Sequence, residues 1–385
     1  MQKVKESLKL KDITIATLGS HSALDVCRGA KDEGFKTLVI AQKGREKTYD
    51  KYFKSDGVMG CVDECIVLEK FSDILSEDVQ NELKKRNAIF VPNRSFEVYV
   101  NDYDAIENRF TVPMFGNKKL LRIEERGFKP NQYDLLDVAQ IRYPKQFNDP
   151  KDIDRLCIVK VLEKERGFER AFFLASSYDE YKKKVDERID KGDFTEEQLE
   201  KSVIEEFVIG VQVNFNFFYS PLTGKLELLG TDTRRQTNHE AVYKLSPEYQ
   251  KQYRDIGGRI KYEEAGHIAV TVLESMLEQA FEMGERFIQA THRFHESLRL
   301  VSDNNKPFPA QGIIGPFALQ SIIIPGPPKK DIVVIDVSPR VPGSPGITAT
   351  PYSKYLFGES ISVGRRVAME IKEAVNLNLL EEIIT

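Results

Sequence analysis

Short apolar runs alternate with amphipathic segments through the first third of the chain. Residues 13–18 form one such run, which breaks at Gly19 into a segment with helical spacing, and residues 37–41, 65–69 and 88–92 form others. Apolar strands that alternate with helices are typical of a parallel, doubly wound sheet. The pattern therefore predicts an α/β domain whose loops share the sheet edge where such folds bind ligands.

A second module begins after residue 117, where the apolar periodicity changes. A polar, helical connection comes first. Helical spacing returns at 178–191, and Thr195 with Gln198 fits a capping box at the start of another helix. Predicted strands of a mixed sheet lie at 158–162, 171–175, 203–209, 213–219, 226–230, 315–324 and 331–337.

The composition is that of an ordinary globular protein, with 385 residues of which 41% are hydrophobic and 30% are charged. The net charge of −4 gives no reason to expect nucleic acid or an anionic membrane as a partner. No apolar run is long enough to cross a membrane and the charged start lacks an apolar signal core, so we expect a cytoplasmic protein. The four cysteines include one C-x-x-x-C spacing without a matching pair, which favours free thiols over a zinc site.

The turn that ends the first strand combines polar side chains with a helix start. Gly19, Ser20, His21 and Ser22 follow the strand directly. Free amides at a helix start favour phosphate, and a glycine lets the backbone approach a ligand. Helix capping by Ser22 with Asp25 is the competing interpretation, but capping does not require a histidine between two serines. We therefore predict a ligand site at this turn.

Two predicted strands near the C-terminus carry polar residues within apolar runs. Gln320 lies in one strand and Asp336 in the next. Polar side chains are costly in such runs unless they bind something, and oxygen ligands from neighbouring strands suit Mg²⁺ with nucleotide phosphates. Arg340, four residues after Asp336, can neutralise phosphate charge. A strand end with a surface aspartate and an ordinary salt-bridging arginine is the alternative.

Three further polar segments have less specific signals. Lys160 lies within an apolar run and would reach a phosphate in an ATP-binding enzyme, but by itself it fits a solvent-facing edge strand. Residues 204–210 end a strand in paired glutamates before an apolar stretch, which suits adenine. Arg234 and Asn238 lie in a polar stretch after a strand that ends at Gly230, for which a solvated loop is the alternative.

Several long motifs together resemble one family. They are TLGSHSALD with GAKDEGF, KGRE, VPNRSFEVY, VPMFGNKKLLR, IVK, EEFVIG, FFYSPL, FEMGERF, GPFALQS and DVSPRV. With these motifs the chain resembles, over nearly its whole length, the archaeal ATP-grasp ligases that formylate 5-amino-4-imidazolecarboxamide ribonucleotide (AICAR) with free formate. The resemblance implies an ATP-grasp fold preceded by the doubly wound, parallel-sheet domain. The predicted domains are 1–120 and 121–385, the latter with a lid at about 150–210 and a metal and phosphate subdomain at about 211–385.

The resemblance also implies roles for individual residues. The acceptor nucleotide would contact Gly19, Ser20, His21, Ser95, Arg234 and Asn238. ATP would contact Lys145, Lys160, Glu205, Glu206, Phe207 and Val208. Gln320 and Asp336 would bind Mg²⁺ or Mn²⁺. Lys160 and Arg340 would be catalytic, because conversion of formate to formyl phosphate and attack by the AICAR amine depend mainly on positioning and charge neutralisation. The other expected partner is a second copy of the chain.

Departures from the family pattern predict a divergent branch. The loop after Lys160 has Gly167 alone where the family has a glycine-rich loop, and Asp336 stands where glutamate is usual. Residues 341–353 also lack the family's glycine- and asparagine-rich form. Charged side chains in the 163–170 loop predict weaker and more salt-sensitive ATP binding. Two alternatives stay open: a ligase that uses another carboxylate, and a non-catalytic nucleotide-binding partner of an active ligase.

Overall fold

The structure is a computed structural model of the chain. It describes residues 12–161, 172–200, 202–235, 239–258, 265–298, 312–326 and 330–385. No helix within these ranges is long and apolar enough to cross a membrane. The four cysteines are free thiols as predicted, with three of them buried.

The first part of the chain forms the parallel sheet that the alternation predicts. Its strands lie in the order β3-β2-β1-β4, and all neighbours are parallel. The loops after the strands therefore share one edge, as predicted. The strands are β1 (Thr14–Leu18), β2 (Lys36–Gln42), β3 (Glu64–Leu68) and β4 (Ala88–Phe90). The helices are α1 (Ala23–Asp32), α2 (Glu77–Lys85), α3 (Arg94–Val100) and α4 (Tyr103–Asn108).

A small antiparallel sheet follows after a connection that contains α5 (Gln132–Val138). Its strands lie in the order β5-β8-β6-β7. They are β5 (Gln146–Phe147), β6 (Cys157–Lys160), β7 (Phe172–Ala175) and β8 (Val203–Glu206), with α6 (Tyr178–Asp190) and α7 (Glu196–Glu200) between β7 and β8. The predicted capping box is confirmed, because the Gln198 side chain accepts from the Thr195 amide and the Thr195 hydroxyl accepts from the Gln198 amide.

A larger antiparallel sheet contains the remaining strands in the order β11-β10-β9-β12-β13. They are β9 (Val211–Ser220), β10 (Lys225–Arg235), β11 (Gly266–Ala269), β12 (Gly315–Ile324) and β13 (Asp331–Ser338). The helices of this part are α8 (His239–Tyr243), α9 (Pro247–Asp255), α10 (Leu277–Leu298), α11 (Tyr352–Phe357) and α12 (Val363–Leu377).

The two faces of the large sheet differ in character because neighbouring residues of a strand point to opposite sides. In β9, Phe215 and Phe217 pack into a core with Phe287 of α10. Asn214 and Asn216 therefore point to the other face, where they are also buried. A buried polar face of this kind is costly unless its groups are hydrogen-bonded or bind a ligand, so it marks the region in which to look for a site.

The last helix returns to the first domain. α12 packs on α1, where a Cβ at Gly29 would lie 2.1 Å from the Arg365 amide nitrogen and a Cβ at Gly364 would lie 2.2 Å from the Asp25 carbonyl oxygen. Only glycine permits such a close approach of two helix backbones. Side chains of α12 also share one hydrophobic core with those of β1 and α1. The predicted domain boundary near residue 120 stays a prediction.

Candidate active site

A row of polar residues crosses the large sheet from β13 to β10. Asp336 pairs with Gln320, Gln320 with Asn214, and Asn214 with Asp232. Residues paired in this way point to the same face, so the four side chains form one line. Gln320, Asn214 and Asp232 are all less than 7% exposed. We call these four residues the polar row.

Arginines contact the β13 end of the polar row. Arg126 Nη2 donates to Asp336 Oδ1 at 2.8 Å, and Arg234 Nη2 donates to Gln320 Oε1 at 2.6 Å. Asp336 is only 19% exposed, so the alternative of a surface aspartate is wrong. The segment before α5 supplies Arg126, and Gln132 of α5 accepts from the Val337 amide of β13 at 2.7 Å, which holds this region against the sheet. The predicted metal ligands therefore lie side by side under two cationic groups.

Lys160 belongs to the same network, although it comes from the small sheet. Its ammonium group donates to Glu205 Oε1, and Tyr133 donates to Glu205 Oε2 at 2.6 Å. Arg126 Nε donates in turn to the Tyr133 hydroxyl at 2.9 Å. Lys160 is on the interior strand β6, so the alternative of a solvent-facing edge lysine is wrong. Tertiary structure thus connects Lys160 to Asp336 through buried and partly buried hydrogen bonds.

The charges in this region shift the pKa values of both end groups. Burial and the nearby Arg126 charge lower the pKa of Lys160, against the attraction of Glu205. Burial would raise the pKa of Asp336, but the charges of Arg126, Arg234 and Lys160 outweigh it and lower the pKa. Three cations face two carboxylates here, and an excess of positive charge suits an anionic ligand such as a polyphosphate.

The other end of the polar row lies beside His267 of β11. His267 Nδ1 and Asp232 Oδ2 are hydrogen-bonded, and the Ser344 hydroxyl lies 3.1 Å from the same nitrogen. The His21 ring is 6.5 Å from the His267 ring, edge to face. The first domain's turn therefore meets the large sheet at this point.

The turn itself is built differently from the expected phosphate loop. The Gly19 amide donates to the Ile40 carbonyl at 2.7 Å and the Ser20 amide donates to the Leu18 carbonyl at 2.9 Å. A Cβ at Gly19 would lie 2.7 Å from the Tyr49 ring, so packing accounts for this glycine. These two amides are used within the fold, which leaves the His21 side chain as the exposed group of the turn.

Ser22 and Asp25 do not form a capping box. Ser22 adopts φ 62° and makes no side-chain cap hydrogen bond. Its hydroxyl instead donates to the Pro342 carbonyl at 2.7 Å, and Asp25 accepts from the Gly364 amide at 2.9 Å. Both side chains thus join the first domain to the C-terminal segment, and so help to hold His21 against the large sheet.

Ser95 lies near the same edge, at the start of α3. Asn93 caps this helix by accepting from the Ser95 amide at 3.1 Å, and its side chain donates to the Leu18 carbonyl at 3.0 Å. Asn93 thereby joins the ends of the adjacent strands β1 and β4. Ser95 and His21 are brought to the same side of the parallel sheet, as the sequence predicts.

The predicted adenine segment follows β8. The Glu206 amide donates to the Lys145 carbonyl at 2.8 Å, and the Phe207 amide donates to the Leu156 carbonyl at 2.9 Å. Phe207 and Val208 are partly exposed. Lys145 lies half-exposed beside Asp154, with its ammonium group 3.2 Å from a carboxylate oxygen. This segment adjoins Glu205, so it lies at the Lys160 end of the network.

Arg340 lies in a buried ionic cluster. It donates to Glu124 at 2.8 Å, and its Nε is 3.8 Å from Glu97. Arg94 contacts Glu97 at 2.8 Å and also approaches Glu124 at 3.4 Å. Arg340 is 6% exposed and its charge is balanced by glutamates. Salt bridging therefore describes its geometry, and its predicted catalytic role stays a prediction.

Two sequence predictions lie outside the described residues. One is Asn238, and the other is the glycine-poor loop at 163–170. Their predicted roles in nucleotide and ATP binding stay predictions.

Sequence reasoning did not identify several residues of the site. Asn214 and Asn216 had a usable signal, because they alternate with phenylalanines in one strand and so mark a polar face. The others come from separate segments and have no local signal. They are Arg126, Tyr133, Asp232 and His267.

Two family models match the chain. One, described as "Protein of unknown function (DUF1246)", matches residues 15–147, and the other, "Domain of unknown function (DUF1297)", matches residues 180–385. The residues between the two matched ranges, 148–179, include the strands β6 and β7 of the small sheet.

Relatives of similar length are 33–38% identical to this chain. A 5-formaminoimidazole-4-carboxamide-1-(beta)-D-ribofuranosyl 5'-monophosphate synthetase of Methanopyrus kandleri is 38% identical over 98% of this chain and 96% of its own length. A protein of the same name from Methanothermobacter thermautotrophicus is 38% identical over 99% of this chain and 97% of its own length.

Solved structures agree on the fold. An IMP biosynthesis protein PurP from Thermococcus kodakaraensis aligns with a TM-score of 0.66 and 26% identity, over 96% of this chain and all of that one. The ADP complex of N5-carboxyaminoimidazole synthetase from Staphylococcus aureus aligns with a TM-score of 0.53 and 14% identity, over 85% of this chain and 70% of that one. The likeness at 14% identity shows the ATP-grasp fold alone. From its relatives and this fold together, the chain belongs to the 5-formaminoimidazole-4-carboxamide-1-(beta)-D-ribofuranosyl 5'-monophosphate synthetase family of ATP-grasp proteins.

Proposed function

We propose that this protein uses ATP and formate to formylate AICAR, with formyl phosphate as the intermediate. The observation that carries the proposal is the polar row. It crosses one sheet from a cationic end to an end beside histidines. Asp336 and Gln320 lie with Lys160 and arginines at one end, and His21 lies near the other. A reaction between a phosphorylated carboxylate and a nucleotide amine needs both ends in one site.

The cationic end suits the triphosphate of ATP. Arg234, which the sequence predicted to contact the acceptor, lies instead beside Gln320 at this end. With Lys160 it would neutralise the charge that develops as formate oxygen attacks the γ-phosphorus and ADP leaves. The adenine ring would lie against the 206–208 segment, which adjoins Glu205 at this end. The nucleotide of the acceptor would lie at the other end, against His21 and Ser95. This arrangement directs the amine toward the acyl phosphate.

The residues at the cationic end also fit Mg²⁺. Gln320 and Asp336 supply oxygen ligands, and Asn214 Oδ1 beside them is buried and accepts no hydrogen bond from the described residues. No three His, Cys, Asp or Glu side chains within those residues form a group that could hold a metal ion alone, so phosphate oxygens would complete the coordination. When bound, Mg²⁺ would shield the phosphate charges.

Incubation of the protein with AICAR, ATP, formate and Mg²⁺ tests the proposal, with ADP and formylated nucleotide both measured. We expect the two products in equal amounts, and neither product when formate or AICAR is left out. Acetate and bicarbonate in place of formate test for a different carboxylate. ATP binding without any turnover would favour the non-catalytic alternative and contradict the proposal.

A glycine substitution tests the placement of His21 at the acceptor end. A Cβ at Gly343 would lie 2.6 Å from His21 Nε2, and the φ of this glycine lies outside the left-handed region. Because a side chain can rotate away, Gly343→Ala should displace the imidazole at little cost to folding. We expect the Kd for AICAR to rise about 5- to 150-fold, which corresponds to loss of a hydrogen bond of about 1–3 kcal/mol.

Gly346→Ala is the matched control, because a Cβ at Gly346 has no neighbour within 4 Å and the residue lies in the same loop. Calorimetric titration with AICAR measures both variants. Equal AICAR affinity in the two variants would contradict the placement of His21 against the acceptor.

A further inference from the structure

His267 occupies a position that none of the predicted roles explains. It lies on the edge strand β11, in register with Arg234 of β10. Its Nδ1 is hydrogen-bonded to Asp232 and lies 3.1 Å from the Ser344 hydroxyl. The charged and titratable groups that face it among the described residues are His21, Asp232 and Arg234.

Asp232 is buried, with 1% of the residue exposed, and its position is set by hydrogen bonds. His267 Nδ1 contacts one of its carboxylate oxygens. The Asn216 and Asn214 amides donate to its two oxygens at 2.6 and 2.9 Å. A carboxylate that accepts all these bonds is fixed in position, and it cannot donate a hydrogen to the imidazole.

This arrangement determines the tautomer of His267. Since Asp232 only accepts, Nδ1 of the imidazole carries the hydrogen. In the neutral ring, Nε2 is then the nitrogen with the lone pair. A buried aspartate that orients a histidine in this way is the arrangement that general-base histidines use in acyl transfer.

The location of the ring matches the place where acyl transfer would occur. His267 lies 6.5 Å from His21, which is at the proposed acceptor end. Asp232 is also the last member of the polar row, two strands away from Gln320 across the sheet. The imidazole therefore lies at the proposed acceptor end of the row, where the nucleotide amine would be bound.

We propose that His267, oriented by Asp232, is the general base that takes the proton from the attacking amine of AICAR. The inference rests on the proposed function. The amine lone pair forms the new N–C bond to the formyl carbon, and the C–O bond to phosphate breaks with its electron pair on phosphate. The amine proton passes to His267 Nε2, which releases it to solvent after the product leaves. The aromatic amine is a poor nucleophile, and removal of its proton prevents reversal of the attack.

A purely structural role is the rival explanation, because the same hydrogen bond joins β11 to β10. His267→Asn separates the two roles, since the asparagine amide can still donate to Asp232 but has no basic nitrogen. His267→Ala removes both functions and leaves space for added imidazole. His292→Asn is the matched control, because His292 is an exposed histidine of α10 whose Nδ1 accepts from the Gly312 amide, away from the polar row.

The experiment measures three quantities in each variant: kcat for formylated AICAR, KM for AICAR, and formyl phosphate formed without AICAR. Hydroxylamine traps formyl phosphate as formohydroxamate. For His267→Asn we expect kcat to fall by about 10²–10⁴-fold, with KM and trapped formyl phosphate unchanged. Imidazole should restore part of the activity of His267→Ala, and His292→Asn should match the wild type.

Full kcat in His267→Asn would overturn the proposal. A loss of trapped formyl phosphate as large as the loss of kcat in that variant would overturn it too. Absence of imidazole rescue in a folded His267→Ala would also count against it. If the wild type itself forms no formylated AICAR, the proposed function fails and the role of His267 fails with it. That outcome is distinguishable, because the other outcomes need an active wild type.

Discussion

Replacement of Asp336 by asparagine should lower formate-dependent ATP turnover on the order of 100-fold, a loss typical of removing a charged group that stabilises a transition state. Asparagine has nearly the same shape and can still accept from Arg126, but it has no charge for Mg²⁺. The carboxylate lies 2.8 Å from Arg126 and beside Gln320, so its negative charge is aimed at the proposed phosphate site. The loss should therefore appear in turnover and in Mg²⁺ dependence together.

Asp331→Asn is the matched control for this substitution. Asp331 begins the same strand and also pairs with an arginine, since Arg142 donates to it at 2.8 Å. Both variants lose one aspartate–arginine pair, but only Asp336 belongs to the polar row. ADP release under saturating formate and AICAR, over a range of Mg²⁺ concentrations, compares the two. Equal turnover in the two variants would show that Asp336 does not act on the phosphates.

Replacement of Arg340 by methionine should lower the free energy of unfolding by about 3–5 kcal/mol near pH 8, the cost of leaving a buried charge without its partner. Arg340 is 6% exposed, and it donates to Glu124 at 2.8 Å while Glu97 lies 3.8 Å away. Methionine keeps much of the side-chain volume but none of the charge. Arg94 would then be the one remaining arginine near two buried glutamates within the described part of the chain.

The same cluster predicts a dependence of stability on pH. Burial raises the pKa of Glu97 to about 8, with repulsion from Glu124 adding to the effect. The folded protein therefore binds the Glu97 proton more tightly than the unfolded chain does. The stabilisation that this proton gives is complete below about pH 4.5 and is lost as the pH rises to 8. The cost of Arg340→Met should accordingly be smaller near pH 5, where the glutamate is neutral.

Urea unfolding at pH 5 and pH 8 measures both effects, and Glu97→Gln is the control. Glutamine resembles the protonated glutamate, so this variant should cost little at pH 5 and should flatten the dependence between pH 5 and pH 8. A wild-type stability for Arg340→Met at pH 8 would contradict the structural account. Turnover per folded molecule then tests the catalytic role: full turnover would assign Arg340 to the fold alone.

The strands of the first domain could be predicted closely from the sequence. The run at 13–18 corresponds to β1 (Thr14–Leu18), because a strand of a parallel sheet is buried on both faces and so reads as a continuous apolar run. The prediction for β10 was too short, since it ended at Gly230 while the strand continues to Arg235. Asp232 and Arg234 break the apolar pattern there because they point to the buried polar face.

The placement of Gln320 and Asp336 on neighbouring strands could also be predicted, because two strands with a short turn between them pair with each other, but a bulge beside Gln320 sets their exact register. The side chains that contact Gln320 and Asp336 could not be predicted. Arg126 lies 210 positions from Asp336 along the chain, and nothing near either residue marks the ion pair. His267 reaches Asp232 only because β11 pairs with β10 in one register.

The sequence by itself determined most of the strands and the polar positions within apolar runs, since these depend on the local period of burial, and its motifs determined the family. The short strands β5 (Gln146–Phe147) and β11 (Gly266–Ala269) were not predicted. Tertiary structure decided which charged side chains form ion pairs and hydrogen bonds with one another. It placed Arg340 among buried glutamates, joined Lys160 to Asp336 through Arg126, and set His267 beside His21. The physical reason is that apolar burial is non-directional and leaves a periodic signal, whereas a hydrogen bond between distant segments depends on register and packing that no local pattern records.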